Sequence, residues 1–144
     1  MVSEDHSAIQ SIIARQFKSL DWAPGGSGDW DAFASDFSPG ASLYPAARPA
    51  KRQTIDEFLE RIKVLAKTRL FTFKEALLGH QIIVFGNVAI AVAGCELTEN
   101  NTAVNRQVEM MLLVKDGNGW QIVAQAWDTE SPSKPLPPSL RDRR

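Results

Sequence analysis

At 144 residues, 44% of them apolar and 23% charged, the chain has the length and composition of one globular domain with a core of its own. Its formal net charge of −1 offers no basic field to nucleic acid or an anionic membrane, and a single cysteine, Cys95, excludes an internal disulfide. No apolar run reaches the roughly 18–20 residues that span a bilayer, and the acidic, polar start Met-Val-Ser-Glu-Asp-His is unlike a secretory signal, so a cytoplasmic protein is expected.

Ile9, Ile12, Ile13, Phe17 and Leu20 form one helical stripe from about Ser3 to Leu20, with Glu4 and Asp5 at the positive end of its dipole. Pro24-Gly25-Gly26-Ser27-Gly28 breaks the chain. Trp30, Phe33, Ala34 and Phe37 then predict a short second helix stopped by Pro39-Gly40, and Ala41–Tyr44 a brief strand. The connection from Pro45 to Gln53 carries Arg48, Lys51 and Arg52, cations that suit a solvated loop. Thr54-Ile55-Asp56-Glu57 is a capping box, in which Thr54 and Glu57 satisfy each other's backbone amides. It opens a third helix to about Thr68 that buries Ile55, Phe58, Leu59, Ile62 and Leu65.

Beyond Leu70 the chain reads as antiparallel sheet. Phe71 to Phe85 is one long strand, bent or bulged at Gly79. Gly86-Asn87 turns it into Val88–Thr98, and Asn100–Thr102 turns that into a last hairpin, Arg106–Glu130, closed by Asp116-Gly117-Asn118-Gly119. Symmetric pairing of the last hairpin sets Lys115 opposite Trp120, Leu113 opposite Ile122, Met111 opposite Ala124, Glu109 opposite Ala126 and Gln107 opposite Asp128. A three-residue loop at Asn100–Thr102 sets Glu96 opposite Arg106 and Ala93 opposite Glu109, while the Gly86-Asn87 turn sets His80 opposite Ala93 and Leu78 opposite Cys95.

These registers divide the sheet into two faces. One is rich in alanine and carries His80, Glu109 and Asp128, and the three amphipathic helices must cover it. The other collects Val88, Ile90, Val92, Met110, Leu112 and Trp127, with no helix left to cover it; a homodimer through this face is therefore expected. From Ser131 the chain becomes a proline-rich basic tail ending Arg-Asp-Arg-Arg, expected to dock loosely. Residues 1–130 thus form a single domain and 131–144 its tail.

The order helix, helix, strand, helix and four antiparallel strands resembles the nuclear transport factor 2-like superfamily, in its SnoaL-like and ketosteroid-isomerase-like branches. The resemblance rests on Gly-Asp-Trp-Asp-Ala-Phe (28–33), Val-Phe-Gly-Asn-Val-Ala (84–89), Glu96, Arg106, Trp-Gln-Ile-Val (120–123) and Trp-Asp-Thr-Glu (127–130), and it covers the chain to Glu130. It implies an α+β chain: a strongly curved antiparallel sheet wrapped as a cone with three helices over its concave face, a cystatin-like α+β roll with a deep pocket and usually a dimer through the convex face. Catalysis of the ketosteroid-isomerase type needs a carboxylate base and an oxyanion donor, typically a tyrosine with a protonated aspartic acid. Here the only tyrosine is Tyr44, and no catalytic motif matches position by position.

Glu109 is the sharpest candidate residue. A carboxylate between Val108 and Met110 must be paired or raised in pKa, so it is either a structural partner or a ligand contact. His80 and Asp128 join it as candidate catalytic groups, against readings as a satisfied buried histidine and a turn residue. Tyr44, Phe58, Trp30, Phe37, Cys95 and Met111 are candidate pocket walls. Histidines at 6 and 80 share no ligand spacing and no cysteine cluster exists, so no metal and no cofactor are expected. Two functions fit: a cofactor-independent isomerase, cyclase or dehydratase acting on a small, mostly apolar ligand, or a non-catalytic binding or dimerisation module.

Overall fold

The computed structural model describes residues 3–141, in the order α1 (Glu4–Ser19), α2 (Trp30–Ser35), β1 (Phe37–Tyr44), α3 (Ile55–Thr68), β2 (Phe73–Phe85), β3 (Val88–Glu99), β4 (Ala103–Asp116), β5 (Gly119–Thr129) and a 3-10 turn at Pro138–Leu140. The five strands make one open sheet in the order β1-β5-β4-β3-β2. The architecture is the expected α+β one, three helices with one curved sheet, but the sheet is mixed, because β1 runs parallel to β5. No helix among the described residues is long and apolar enough to cross a membrane.

β1 begins earlier than the sequence pattern suggests, and Asp36 is the reason. Its backbone N–H caps α2, and its carbonyl accepts the Ile122 N–H at 2.8 Å, so the chain leaves the helix directly into the sheet. Its buried carboxylate holds Arg15 of α1 in a two-pronged contact at 3.0 and 2.9 Å. Phe37, which has the spacing of an α2 residue, instead opens β1 and packs on Phe33 with ring centroids 5.1 Å apart. The helices close over the concave face through Ile9, Ile12, Ile13, Phe17, Phe58, Leu59 and Ile62, all buried.

α3 starts where the capping box places it. Thr54 Oγ1 accepts from Glu57 N at 3.1 Å, and Glu57 Oε1 accepts from Thr54 N at 2.9 Å. Thr54→Ala should lower unfolding free energy by about 0.5–2 kcal/mol in denaturant titration, because the helix loses one of its end-amide acceptors. An unchanged midpoint would mean that Thr54 does not set the helix start.

The β3–β4 register is as expected, with Ala93 opposite Glu109, Cys95 opposite Gln107 and Glu96 opposite Arg106, the last pair joined by a 3.2 Å salt bridge. β2 bulges at Leu78, so Leu77 rather than Leu78 faces Cys95, while His80 still meets Ala93. β5 bulges too. Lys115–Trp120 and Leu113–Ile122 pair as expected, but Leu112 then meets Ala124, leaving Val123 as the extra residue. A one-residue insertion exchanges the two faces of everything after it. Gln125 and Trp127 therefore turn inward, whereas Ala124, Ala126 and Asp128 turn outward.

The tail is docked rather than loose. Leu136 and Leu140 are buried, and Leu136 N donates to Glu130 Oε2 at 2.8 Å. The Leu140 backbone lies in a furrow on the outer side of Gly79 and Gly94; a Cβ on Gly94 would fall 1.9 Å from the Leu140 carbonyl oxygen. Only glycine permits that approach. The last three residues of the Arg-Asp-Arg-Arg end lie outside the described residues. The remainder of the outer face stays bare: Phe85 is 84% exposed, Ile83 64% and Met110 57%, with Ile90 and Leu112 beside them.

Candidate functional site

Glu109 reaches the concave face from the middle of β4, and a second carboxyl meets it there. Glu75 of β2, opposite Leu97, points inward because the Leu78 bulge shifts the phase of everything before it. Cys95 of β3 lies between them. Carboxylate oxygens of both glutamates and the Cys95 sulfur all lie within 4.8 Å of one another, and all three residues are buried. Cys95 Sγ is 3.7 Å from Glu109 Oε2, 3.9 Å from Glu75 Oε2 and 3.6 Å from the Gln107 carbonyl.

Amides complete the cluster. Gln107 Nε2 donates to Glu109 Oε2 at 3.1 Å, and the Gln125 amide donates to Glu109 Oε1. Gln125 is itself held by Gln16 of α1 in a reciprocal amide pair at 2.9 and 2.8 Å. The helix layer therefore orients the group that contacts the carboxylate.

Two carboxyls this close in a dry site cannot both ionise readily. Burial raises the pKa of Glu75 well above the usual carboxyl range, and the negative charge on Glu109 raises it further. Burial also raises Glu109, but hydrogen bonds from Glu75, Gln107, Gln125 and Cys95 oppose the rise. Both carboxyls therefore hold their protons more tightly than free carboxyls do, Glu75 more so than Glu109. Burial beside these acids pushes the Cys95 thiol far up, so it stays protonated and is no nucleophile.

This cluster faces a cavity of about 190 Å³ whose walls include Phe33, Phe58, Phe73 and Trp127. Phe58 stacks on Phe33 at 5.3 Å between centroids and meets Trp127 edge-on at 5.7 Å. Arg61 and Glu99 also border it, Arg61 being solvent-exposed and set over the Phe58 ring at 5.7 Å.

Among the residues singled out from sequence, Glu109 and Phe58 border this cavity and Cys95 belongs to the acid cluster. Asp128 does not join them: the Val123 bulge turns it to the outer face, exposed, where it accepts from Thr129 N at 2.8 Å. His80 keeps its inward orientation but sits past the Leu78 bulge, where its Nε2 meets the Gln10 side chain at 3.3 Å, away from the cavity wall. Trp30 packs edge-on against Trp22 at 5.5 Å, and Phe37 and Met111 are buried core residues outside the cavity wall. Tyr44 is 40% exposed beside the apolar outer face. Glu75 and Gln125 were not singled out. For Glu75 the signal was present in the bend at Gly79: one extra residue carried through the pairing turns it inward.

Glu75, Cys95 and Glu109 are the one group among the described residues with donor atoms close enough to share a metal ion. An ion there would have to displace the protons that burial holds on Glu75 and Cys95.

The fold is that of the nuclear transport factor 2-like proteins. A nuclear transport factor 2-like protein of unknown function from Pseudomonas putida superposes with a TM-score of 0.69 over 96% of this chain and 94% of its own, at 11% identity. An uncharacterised protein with a cystatin-like fold from Caulobacter vibrioides gives 0.69 over 91% and 93%, at 17% identity. A ketosteroid isomerase-like protein from Erwinia carotovora gives 0.65 over 90% and 99%, at 19% identity. No protein-family model and no curated protein matches the sequence.

Proposed function

We propose that the cavity binds a small, mostly apolar molecule and that the Glu75–Glu109 pair exchanges a proton with it, in an isomerase, cyclase or dehydratase type of reaction without a cofactor. The observation that carries this reading is the buried Glu75–Glu109 carboxyl pair on an aromatic-walled cavity. A neutral acid beside an ionised one supplies a proton donor and a potential base at neutral pH. The name of the ketosteroid isomerase-like neighbour agrees with such chemistry, but the size argues for a smaller ligand. An apolar cavity of roughly 150 Å³ takes benzene, so about 190 Å³ suits a single ring rather than a fused polycycle.

The test is a thermal-shift screen of single-ring compounds, followed by turnover assays on the hits with Glu109→Gln and Glu75→Gln proteins. Turnover should fall at least about a hundredfold in either variant, within the usual contribution of a proton-transferring group. Turnover unchanged in both would remove the pair from the reaction. A non-catalytic binding role has one observation in its favour: four donors already engage Glu109, which makes it a poor base. In that case Glu109→Gln alters ligand preference alone.

We also infer that the bare outer face is covered by a second copy of the chain. Ile83, Phe85, Ile90, Met110 and Leu112 form an apolar surface without an interspersed charge, and the tail leaves it open. A lone thiol kept protonated suits the reducing cytoplasm, to which we assign the protein.

A further inference from the structure

We propose that the ligand of the cavity is a small monocarboxylic acid with an apolar, single-ring body, and that Arg61 at the mouth receives its carboxylate. The inference rests on the pocket reading above and names the ligand class and the residue that selects it.

The first support is the place of Arg61 on its helix. Phe58, Arg61, Ile62 and Leu65 all border the cavity, at i, i+3, i+4 and i+7 of α3. That spacing is one face of a helix, and Arg61 is the single charged residue on it. The chain therefore sets a cation on the stripe that closes the cavity. Arg61 is exposed whereas Glu75 and Glu109 are buried, so the guanidinium marks the solvent end and the acid pair the inner end.

Its bonding capacity is unspent. The carboxylate one turn before it, Glu57, is committed to the Thr54 N–H at 2.9 Å, and the residues at i+3 and i+4 are Val64 and Leu65. Asp56 and Glu60 border a surface hollow with Arg61 but form no ion pair with it, and neither does Glu99. Among the described residues Arg61 makes no hydrogen bond; its one close contact is the Phe58 ring, 5.7 Å from the guanidinium carbon. A guanidinium seated over a ring keeps the N–H groups of its edge free, in the fork that matches the two oxygens of a carboxylate.

Charge then fixes the orientation. Arg61 is the only cation bordering the cavity among the described residues. The inner end holds the two glutamates and the amides of Gln16, Gln107 and Gln125, with nothing to neutralise an anion. Glu99 at the end of β3 repels one. A carboxylate is thus held at the mouth, and the apolar body extends inward along Phe58 and Trp127, its far end towards the acid pair. One guanidinium beside Glu99 balances a single negative charge, which favours a carboxylate over a doubly charged phosphate.

Calorimetric titration of the full-length protein at neutral pH and low salt with benzoate and its neutral isostere benzamide tests the assignment, in wild type and in Arg61→Gln. Glutamine keeps the helix propensity at this exposed position, so the variant should fold. Wild type should bind benzoate at least about fivefold more tightly than benzamide, the upper end for an exposed ion pair. Added salt should erode that advantage. Arg61→Gln should remove it by weakening benzoate while benzamide binds as before. Benzamide binding as tightly as benzoate, unchanged benzoate binding in the variant, or an equal loss for both compounds overturns Arg61 as the carboxylate anchor and leaves the pocket standing. No binding of either compound at millimolar concentration overturns the pocket reading as well.

Discussion

Raising the pH from about 5 to about 8 should destabilise the wild-type protein, and Glu75→Gln should remove most of that loss. The sign follows from where the proton is held. Unfolded, Glu75 releases its proton near the ordinary carboxyl value; folded, burial and the Glu109 charge keep it bound to a higher pH. Between those two values the folded state binds one proton more than the unfolded state. Stability therefore falls with rising pH, by about 1.4 kcal/mol per unit for a single group. Glu109, also raised, adds to the same slope. Asp5 and Glu57 are shifted downward, so their contributions are lost only as pH falls below the ordinary carboxyl range, outside this window. Glutamine at 75 retains a donor for Glu109 without a proton to lose. Denaturant titrations at several pH values would measure both slopes, and parallel profiles for the two proteins would show that Glu75 is not the proton holder.

Leu112→Glu should convert a dimer into a monomer. Sedimentation of the wild type at micromolar concentration should give twice the chain mass of 15.9 kDa. Leu112 lies on β4 between Ile90 and Ala124, at the centre of the bare outer face. A carboxylate placed there would be buried unpaired on association, a penalty of roughly 3–5 kcal/mol or a dissociation constant raised at least about a hundredfold. The concave core is untouched, so circular dichroism should stay that of the folded protein. A wild type that sediments as a single chain would refute the second copy as partner, and a variant that still sediments as a dimer would move the contact elsewhere.

Much of this arrangement was legible because local rules govern it. The Thr54 capping box, the Gly86-Asn87 turn and the three-residue loop at Asn100–Thr102 each follow from the chemistry of a few adjacent residues. They placed α3, the β3–β4 register and the β2–β3 register from the turn back to His80 correctly, and with them Glu109 on the inner face opposite Ala93. The bare outer face was legible for the same reason, since alternation along β3 and β4 assigns its members once one pair is known.

Bulges and long-range docking were decided elsewhere. Nothing in Trp-Gln-Ile-Val-Ala-Gln-Ala-Trp marks Val123 as the residue left out of the ladder. That choice comes from bending a long hairpin around three helices while Asp36 pins Ile122 to the start of β1. One unpaired residue sends Asp128 outward and brings in Gln125, where Gln16 of α1 can reach it. The Leu78 bulge brings Glu75 to Glu109 in the same way. The tail, polar and proline-rich in sequence, docks because two glycines on neighbouring strands open a furrow that neither would make alone. The sequence by itself determined the elements, their turns and the carboxylate at 109. The tertiary structure decided which partners face it, because side-chain phase along a strand changes sign with each bulge, and the exact place of a bulge answers to the whole packed sheet.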